Sequence, residues 1–367
     1  MRTIQYGGAG GLVALLGVCA LVVGTARADV YTERPGSILI FPKVVNTSGA
    51  EGRTTVIQIT NTGNMADQTR CFYVTPSATG CAETDFDLFL TKQQPTSFVV
   101  ASGRGMQSTP GLSPGLIPPV QPGFIGALIC AEVGPDGAPL NMNQLKGEAT
   151  IISADSPDES GYSPDQSKYD ALAVQGLKPN NNDDILNLDG TEYNNCPATT
   201  IVDFQPFGAT DPIIEALGNG GICSDNAAPC NNSSQCNSGA TCDTGQSTVA
   251  SVLSLVPCNL DLENGIATKV TLQVKAWDEY EVYRSTALSF SCVGNIDLTK
   301  IPQLLSSNFL PDAQFVTMQL TPSVGGPVLG VLESTYADSV GNAAGTAANL
   351  QVEGAGAAAQ ITVPSEQ

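Results

Sequence analysis

Ten cysteines behind an export leader constrain this chain more than any other feature. Of the eleven in the sequence, Cys19 lies in an apolar run, Gly11 to Gly24 (GLVALLGVCALVVG), that follows Arg2 and precedes Ala26-Arg27-Ala28. Small residues three and one positions before the cut are what signal peptidase accepts, so residues 1–28 are expected to be removed before Asp29. The apolar run is 14 residues long. That is shorter than the roughly 20 needed to span a bilayer as a helix, which argues against a retained anchor. Lipid attachment at Cys19 fails on Leu16-Gly17-Val18, where a branched valine stands at a position that needs a small residue. The remaining cysteines are Cys71, Cys81, Cys130, Cys196, Cys223, Cys230, Cys236, Cys242, Cys258 and Cys292. An even number in an exported chain reads as a disulfide framework. Metal ligation is the competing use, but no two cysteines have C-x-x-C spacing and the sequence has no histidine. The densest group, Cys223, Cys230, Cys236 and Cys242, sits among Asn, Ser, Gly and Asp residues that offer no apolar face. Cross-links must hold that segment together, and three pairings of its four cysteines are open.

Charge narrows the partners. Two of the 15 basic residues, Arg2 and Arg27, lie in the leader, leaving 13 basic against 35 acidic residues and a charge of −22 on the mature chain. Nucleic-acid binding requires a basic face and is not expected. The absence of histidine excludes Ser-His-Asp and Cys-His nucleophiles and the H-E-x-x-H metal motif. The single G-x-S-x-G match, Gly111-Leu112-Ser113-Pro114-Gly115, has a proline where an oxyanion-hole N–H is required.

The apolar pattern favours strands. With 38 Gly and 24 Pro the chain is rich in turn residues, and short apolar runs punctuated by them are the mark of sandwiches and barrels. Expected strands include Ser37 to Val45, Thr54 to Thr60, Arg70 to Thr75, Phe86 to Leu90, Ser97 to Ala101, Phe124 to Val133, Ala149 to Ser153, Ala171 to Gln175, Val249 to Val256, Ala287 to Ser291, Phe315 to Leu320 and Val328 to Leu332. The cleanest alternation is Thr268 to Trp277, with Val270, Leu272, Val274 and Ala276 on one face. Trp277, the single tryptophan, reads as a core or sheet-end aromatic. Pro212 to Leu217 and Ile301 to Ser306 are short enough for a helical turn or two. The fold class is therefore all-β, as antiparallel sandwich with a disulfide-rich loop insertion. Composition divides the chain into a sandwich over 29–180, a polar and cysteine-rich insertion over 181–247, a second β-rich region over 248–336 and a flexible Ala/Gly-rich tail over 337–367 with a candidate last strand at Gln360 to Val363.

The run GSILIFPKVV, TTVIQITNTGN, CFYVTP and FDLFLTKQQPTSFVV, continued by GFIGALICAEV and LKGEATI, resembles the opening strands of uncharacterised bacterial secreted proteins with immunoglobulin-like sandwiches. The resemblance covers about a third of the chain and rests on packing patterns. It implies an immunoglobulin-like fold and export, and brings no active site. A bacterial source would leave the sequons at Asn46, Asn231 and Asn232 unmodified.

Carboxylates are the chemistry that remains. Asp85, Asp87, Asp278, Glu279 and Glu281 are candidates for a glycosidase pair, although sugar sites usually stack rings on aromatics and this chain has few. Asp183, Asp184, Asp189 and Glu192 in the run Asn180 to Glu192 are oxygen ligands suited to calcium, outside any EF-hand spacing. The expectation is a noncatalytic exported protein, secreted or at the cell surface with the periplasm as an alternative, and without membrane insertion after the leader is cut. Its role is structural or adhesive, toward other surface or extracellular proteins or glycans. A soluble module binding carbohydrate, peptide or calcium is the alternative, and a carboxylate-dependent hydrolase a third class. Self-association by strand addition is a special case, with the extended mature N-terminus (DVYTERPGSILIF) completing a neighbour's sheet.

Overall fold

Short β-branched runs cut by turns can satisfy their backbone groups only by pairing with one another, and in this chain the pairing is almost wholly antiparallel. The computed structural model describes residues 30–48, 52–105, 115–153, 166–178, 183–209, 220–226, 228–230, 232–244, 249–310, 313–337 and 343–364. The leader and its cut, residues 111–114 of the G-x-S-x-G match, residues 180–182, Asn231 and the segment 212–217 lie outside them.

The first sheet contains β1 (Val30–Tyr31), β2 (Ile38–Asn46), β3 (Arg53–Asn61), β4 (Asp67–Pro76), β5 (Cys81–Leu90), β6 (Pro95–Val99), β7 (Phe124–Val133), β8 (Leu145–Ser153), β9 (Gln166–Asp170) and β10 (Leu172–Val174). Its order is β5-β4-β7-β2-β3-β8-β9, with β6 on β3 and β10 joining β1 to β2. Strands β2 and β3 meet at only one residue pair, Asn46 with Thr54, so the sheet turns a corner there and its two halves face each other as layers of a sandwich. Leu39, Phe41, Tyr73, Leu88 and Leu128 from one layer bury against Ile57, Ile59, Phe98 and Ile151 from the other.

The rest of the chain adds three packed sheets and a small cysteine module. A three-stranded sheet runs β11 (Ile185–Leu188), β25 (Ala359–Thr362), β17 (Leu260–Asp261). A five-stranded sheet runs β19 (Tyr283–Ser291), β18 (Lys269–Asp278), β21 (Val316–Val324), β12 (Cys196–Phe204), β24 (Gln351–Ala357). A four-stranded sheet runs β20 (Gly294–Asp297), β16 (Ala250–Pro257), β22 (Val328–Ala337), β23 (Ala343–Asn349). The module pairs β14 (Pro229–Cys230), β13 (Gly221–Cys223) and β15 (Cys242–Thr244). Only β17 and β25 run parallel. The alternation over β18 is realised, and Val270, Leu272, Val274 and Ala276 are buried against Leu253, Leu255 and Leu332 of the four-stranded sheet.

Strand β2 has no exposed residue. Leu39 and Phe41 face the first sandwich core, while Ile38 and Ile40 face a second cluster with Leu186, Val256, Leu329 and Ile361. A strand covered on both faces reads as a continuous apolar run rather than an alternating one, as ILIFPKVVN does. Pro42 cannot donate to the ladder, and its cost is absorbed by an irregularity in the β2–β7 register between Phe41 and Val44. The Tyr169 hydroxyl substitutes for the lost pairing, accepting from the Lys43 N–H at 3.1 Å and donating to the Lys43 carbonyl at 2.5 Å.

The Lys43 side chain meets a charge from the neighbouring sheet. On β22, Leu329 and Val331 pack toward the first sandwich, and Glu333 is the next residue on that face. Its carboxylate is 2.7 Å from Lys43 Nζ and accepts both terminal nitrogens of Arg53, one of them at 2.9 Å. Lys43 is 4% and Glu333 1% exposed. Burial opposes the ionised form of Glu333, but the Arg53 hydrogen bonds and the two cationic neighbours outweigh it and hold the carboxyl at about 2. For Lys43 burial outweighs the attraction of Glu333, and its ammonium lies below the usual lysine range.

Five disulfides join Cys71–Cys130, Cys81–Cys292, Cys196–Cys258, Cys223–Cys236 and Cys230–Cys242. The first bridges directly opposed residues of β4 and β7, and the second ties the start of β5 to the segment after β19 across 211 residues. The last two settle the open pairing of the dense group. No helix among the described residues is long and apolar enough to cross a membrane. These bonds and the all-β fold suit an exported protein in an oxidising compartment.

Two expectations are corrected. The described part of the Ala/Gly-rich end is no flexible tail: β23 and β24 pair with β22 and β12, because backbone pairing to a formed edge does not depend on side-chain bulk, and β25, on β11, stands where the last strand was expected. Within 181–247, β11 and β12 belong to the body of the fold, and only the cysteine module stands apart. Val30 and Tyr31 pair with Val174 and Ala173, whose strand β10 also covers the edge of β2 at Ile38 to Ile40. In the stretch Ile301 to Ser306, Pro302–Leu304 forms a 3-10 turn between two others at Leu298–Lys300 and Ser306–Asn308.

Replacing Glu333 by Gln is expected to destabilise the fold by about 3 kcal/mol in urea unfolding, since a buried cation loses its counter-charge. The folded value of Glu333, about 2, lies below its ordinary 4.5. The stability it contributes is therefore present above pH 4.5 and lost as pH falls toward 2, and the Gln variant should show a shallower loss over that range. Tyr169→Phe, which removes both hydrogen bonds at the bulge, should cost about 1–3 kcal/mol in the same assay.

Candidate functional site

The strands β5, β4 and β7 end side by side, with Asp67 opposite Leu90 and Gln68 opposite Val133. Past their ends lies a groove of about 640 Å³, walled by Phe89, Leu90, Val133, Pro135, Leu140 and Met142. That volume and apolar lining are those of a ligand site. Phe89 is 50% exposed at its rim, and Met65, next to the lining residue Ala66, is 61% exposed. Thr91 and Gln94, also in the wall, satisfy one another: the Thr91 N–H and hydroxyl both donate to Gln94 Oε1.

The floor is acidic for a reason visible in the pleat. Cys71 and Tyr73 on β4, and Leu128 and Cys130 on β7, face the first core. Continuing that face toward the strand ends places Asp67, Thr69 and Glu132 where apolar residues would otherwise stand. Asp67 is 3% exposed and Glu132 is fully buried. Glu132 is saturated: Oε1 accepts from the Gln144 N–H at 2.7 Å, and Oε2 from the Met142 and Asn143 N–H groups at 2.7 and 3.0 Å. This cradle, helped by the positive φ of Asn143 (56°), fixes the loop that carries Leu140 and Met142 into the groove. Asp67 is half satisfied. Its Oδ2 accepts from the Thr69 hydroxyl at 2.8 Å, and its Oδ1 has no partner. Burial, and secondarily the charge of Glu132, push the Asp67 carboxyl up to about 7. Burial raises Glu132 as well, against the backbone hydrogen bonds that lower it.

The residues singled out in the sequence lie elsewhere. Asp189 accepts from the Thr191 N–H and hydroxyl and the Glu192 N–H, Glu192 accepts from the Asn187 N–H and side-chain amide, and Asp183 accepts from the Ile185 N–H. Asp189 and Glu192 thus bond within the turn that follows β11, and the backbone carbonyl of Asp184 accepts from the Val363 N–H. Among the described residues the one group of three candidate ligand atoms is Cys223, Cys230 and Cys236. Each of those sulfurs is consumed in a disulfide and offers no thiolate.

Asp85 pairs with Arg70, and Asp87 lies opposite Arg70 across β4–β5. Asp278, Glu279 and Glu281 do come together, with Asp203, Trp277 and Phe315, around a cleft of about 500 Å³. Their carboxylates are used locally, however. Asp278 accepts the N–H groups of Tyr280, Val282 and Leu310, and Glu279 those of Gln314 and Phe315. Burial alone would raise Asp278, but those hydrogen bonds bring it below the usual carboxylate range. A glycosidic general acid needs the opposite shift.

No protein-family model matches the chain, and no curated protein matches it. Solved structures give distant likenesses. Thermotoga maritima 1070 aligns over 40% of this chain and 98% of its own at 7% identity, TM-score 0.25. A Parabacteroides distasonis ATCC 8503 protein, provisionally described as secreted, aligns over 81% and 88% at 10% identity, TM-score 0.17. The Pleurotus ostreatus lectin in its apo form aligns over 88% and 81% at 14% identity, TM-score 0.16. At these scores the likenesses carry no argument about fold or ligand, and the groove must be read from its own residues.

The folded Asp67, at about 7, lies above its ordinary 3.8. The folded state therefore holds an extra proton between those values, and stability falls as pH rises through that window. Asp67→Asn should abolish this fall. It is expected to exceed the parent in stability at pH 8, by on the order of 1–3 kcal/mol, and to match it near pH 4 in chemical denaturation.

Proposed function

We propose that this is an exported, noncatalytic protein of the immunoglobulin-like sandwich type with an adhesive role, holding an extended apolar segment of another extracellular protein in the groove between Phe89 and Met142. The groove carries this reading, since a contiguous open apolar surface of this kind marks an interaction site. A peptide suits the lining better than a sugar, because Thr91 donates to Gln94 Oε1 and most of the remaining wall is apolar, with Phe89, Leu90, Val133, Pro135, Leu140 and Met142 beside Asp67 and Gln68. The disulfides support durability outside the cell. The resemblance of residues 36–101 to secreted sandwiches supports export.

The test is titration of fluorescent apolar pentapeptides into the disulfide-intact chain. Saturable binding of roughly 1–100 μM is expected, weakened at least about tenfold by Phe89→Asp, an exposed position whose change should leave the melting temperature in place. Absence of any saturable signal from a folded sample would remove the reading. Turnover of a peptide or polysaccharide by the purified chain would overturn its noncatalytic part.

A second reading, carbohydrate contact, is favoured by one observation: Trp277 and the 54% exposed Phe315 line the cleft with Asp203 and Glu281. On a glycan array it predicts signal lost in Trp277→Ala and kept in Phe89→Asp.

A further inference from the structure

The groove lining holds one carboxylate, Asp67, on which the fully buried Glu132 acts by its charge, and no cationic side chain. Among the described residues neither Asp67 nor Glu132 forms an ion pair, while the nearest strands spend Lys43 and Arg53 on Glu333 and Arg70 on Asp85. Glu132 has three backbone donors and needs nothing more. Asp67 lines the groove, and its Oδ1 is buried and has no hydrogen-bond partner. A buried carboxylate oxygen left in that state is costly unless something supplies a donor or a positive charge. The net charge of the chain, −20 in full and −22 without the leader, favours approach of a cation.

From these observations the geometry points to a cation subsite within the groove: Asp67 Oδ1 receives the ammonium of a lysine, or the guanidinium of an arginine, carried between apolar residues of the bound segment. The assignment rests on the reading of the groove as a peptide site and names what that peptide must contain. It gives each part of the site a task. Phe89, Leu90 and Met142 cover the apolar flanks, Asp67 selects the charge, and Glu132 adds negative potential while pinning the 140–144 loop.

The carboxyl state of Asp67 should gate binding, because only its ionised form attracts the cation. The groups facing it are the Thr69 hydroxyl on its own strand, Leu90 on β5, and Glu132 on β7. The groove wall contributes no other titratable side chain. A carboxyl that titrates near 7 makes affinity rise with pH across neutrality.

Two probe pairs test the subsite on the disulfide-intact mature chain at 150 mM salt by calorimetry. The first is acetyl-Leu-Phe-Lys-Leu-Val-amide against the same peptide with the lysine Nε-acetylated. The second is 4-phenylbutylammonium against 4-phenylbutanol. At pH 8 the charged peptide is expected to bind about tenfold tighter than its acetylated form, with the preference shrinking to about twofold at pH 5 and in Asp67→Asn. The pH arm uses the unmodified chain, so it decides even where the variant fails to fold. Equal affinity of the two peptides at pH 8, both weakened by Phe89→Asp, would overturn the cation subsite and leave the groove reading standing. A preference that persists in Asp67→Asn would place it in the general acidic surface and also overturn it. If neither peptide binds but the amine outcompetes the alcohol, the subsite stands with a free organic amine as its source and the peptide reading falls. Silence from all four probes overturns both.

Discussion

Strand β2 has no free face, and the rest of the molecule follows from that. Its two sides serve two hydrophobic clusters, so the first sandwich and the sheets that follow it in the chain are built on one shared wall. A doubly buried strand tolerates neither a proline nor a lysine without help. Pro42 is accommodated at a bulge capped by the Tyr169 hydroxyl, and Lys43 by Glu333 on a strand nearly 300 residues away in sequence. Such a pair contributes little beyond what a well-packed apolar pair would, but losing either partner strands a charge. The arrangement therefore acts as a register pin: β22 can slide on β2 only by separating Glu333 from both of its cations.

The disulfides reinforce a different direction. Cys71–Cys130 ties neighbouring strands within one layer, whereas Cys81–Cys292 and Cys196–Cys258 join segments distant in sequence around the cluster shared by the two parts. The cysteine module carries its own pair of bridges and almost no buried side chain beyond the sulfurs. Its rigidity is covalent, and that of the sheets comes from packing. The groove belongs to the packed part, at the end of β4, β5 and β7. There the core face runs out and polar groups replace apolar ones without leaving the interior. Phe89 and Met142 cover that transition only partly, and Asp67 is buried beneath it.

Much of the candidate site was hidden in the sequence by its own ordinariness. Asp67 stands in the polar run NMADQTR, and nothing local distinguishes it from the other acidic residues. Glu132 carried the one available signal, a charge inside the apolar run FIGALICAEV, where strand alternation places it on the same face as Leu128 and Cys130. The acids that drew attention instead, Asp183 to Glu192 and Asp278 to Glu281, cluster because turns need carboxylates to cap their N–H groups. Clustering along the chain is a signature of turns as much as of metal or catalytic sites.

The sequence by itself determined the all-β character, since short β-branched runs broken by Gly and Pro admit no other way to bury apolar side chains and pair the backbone. It also determined the even cysteine set, the acidic charge and the inward face of β18, all of which depend on local composition or a period of two. Tertiary structure alone decided what the Ala/Gly-rich end does, because β23 and β24 owe their conformation to edges supplied by β22 and β12 rather than to their own side chains. It decided equally which cysteines meet, which lysine is buried, and which of many carboxylates lacks a partner. Those outcomes depend on distances between residues far apart in the chain, and a pattern of local preferences contains no term for them.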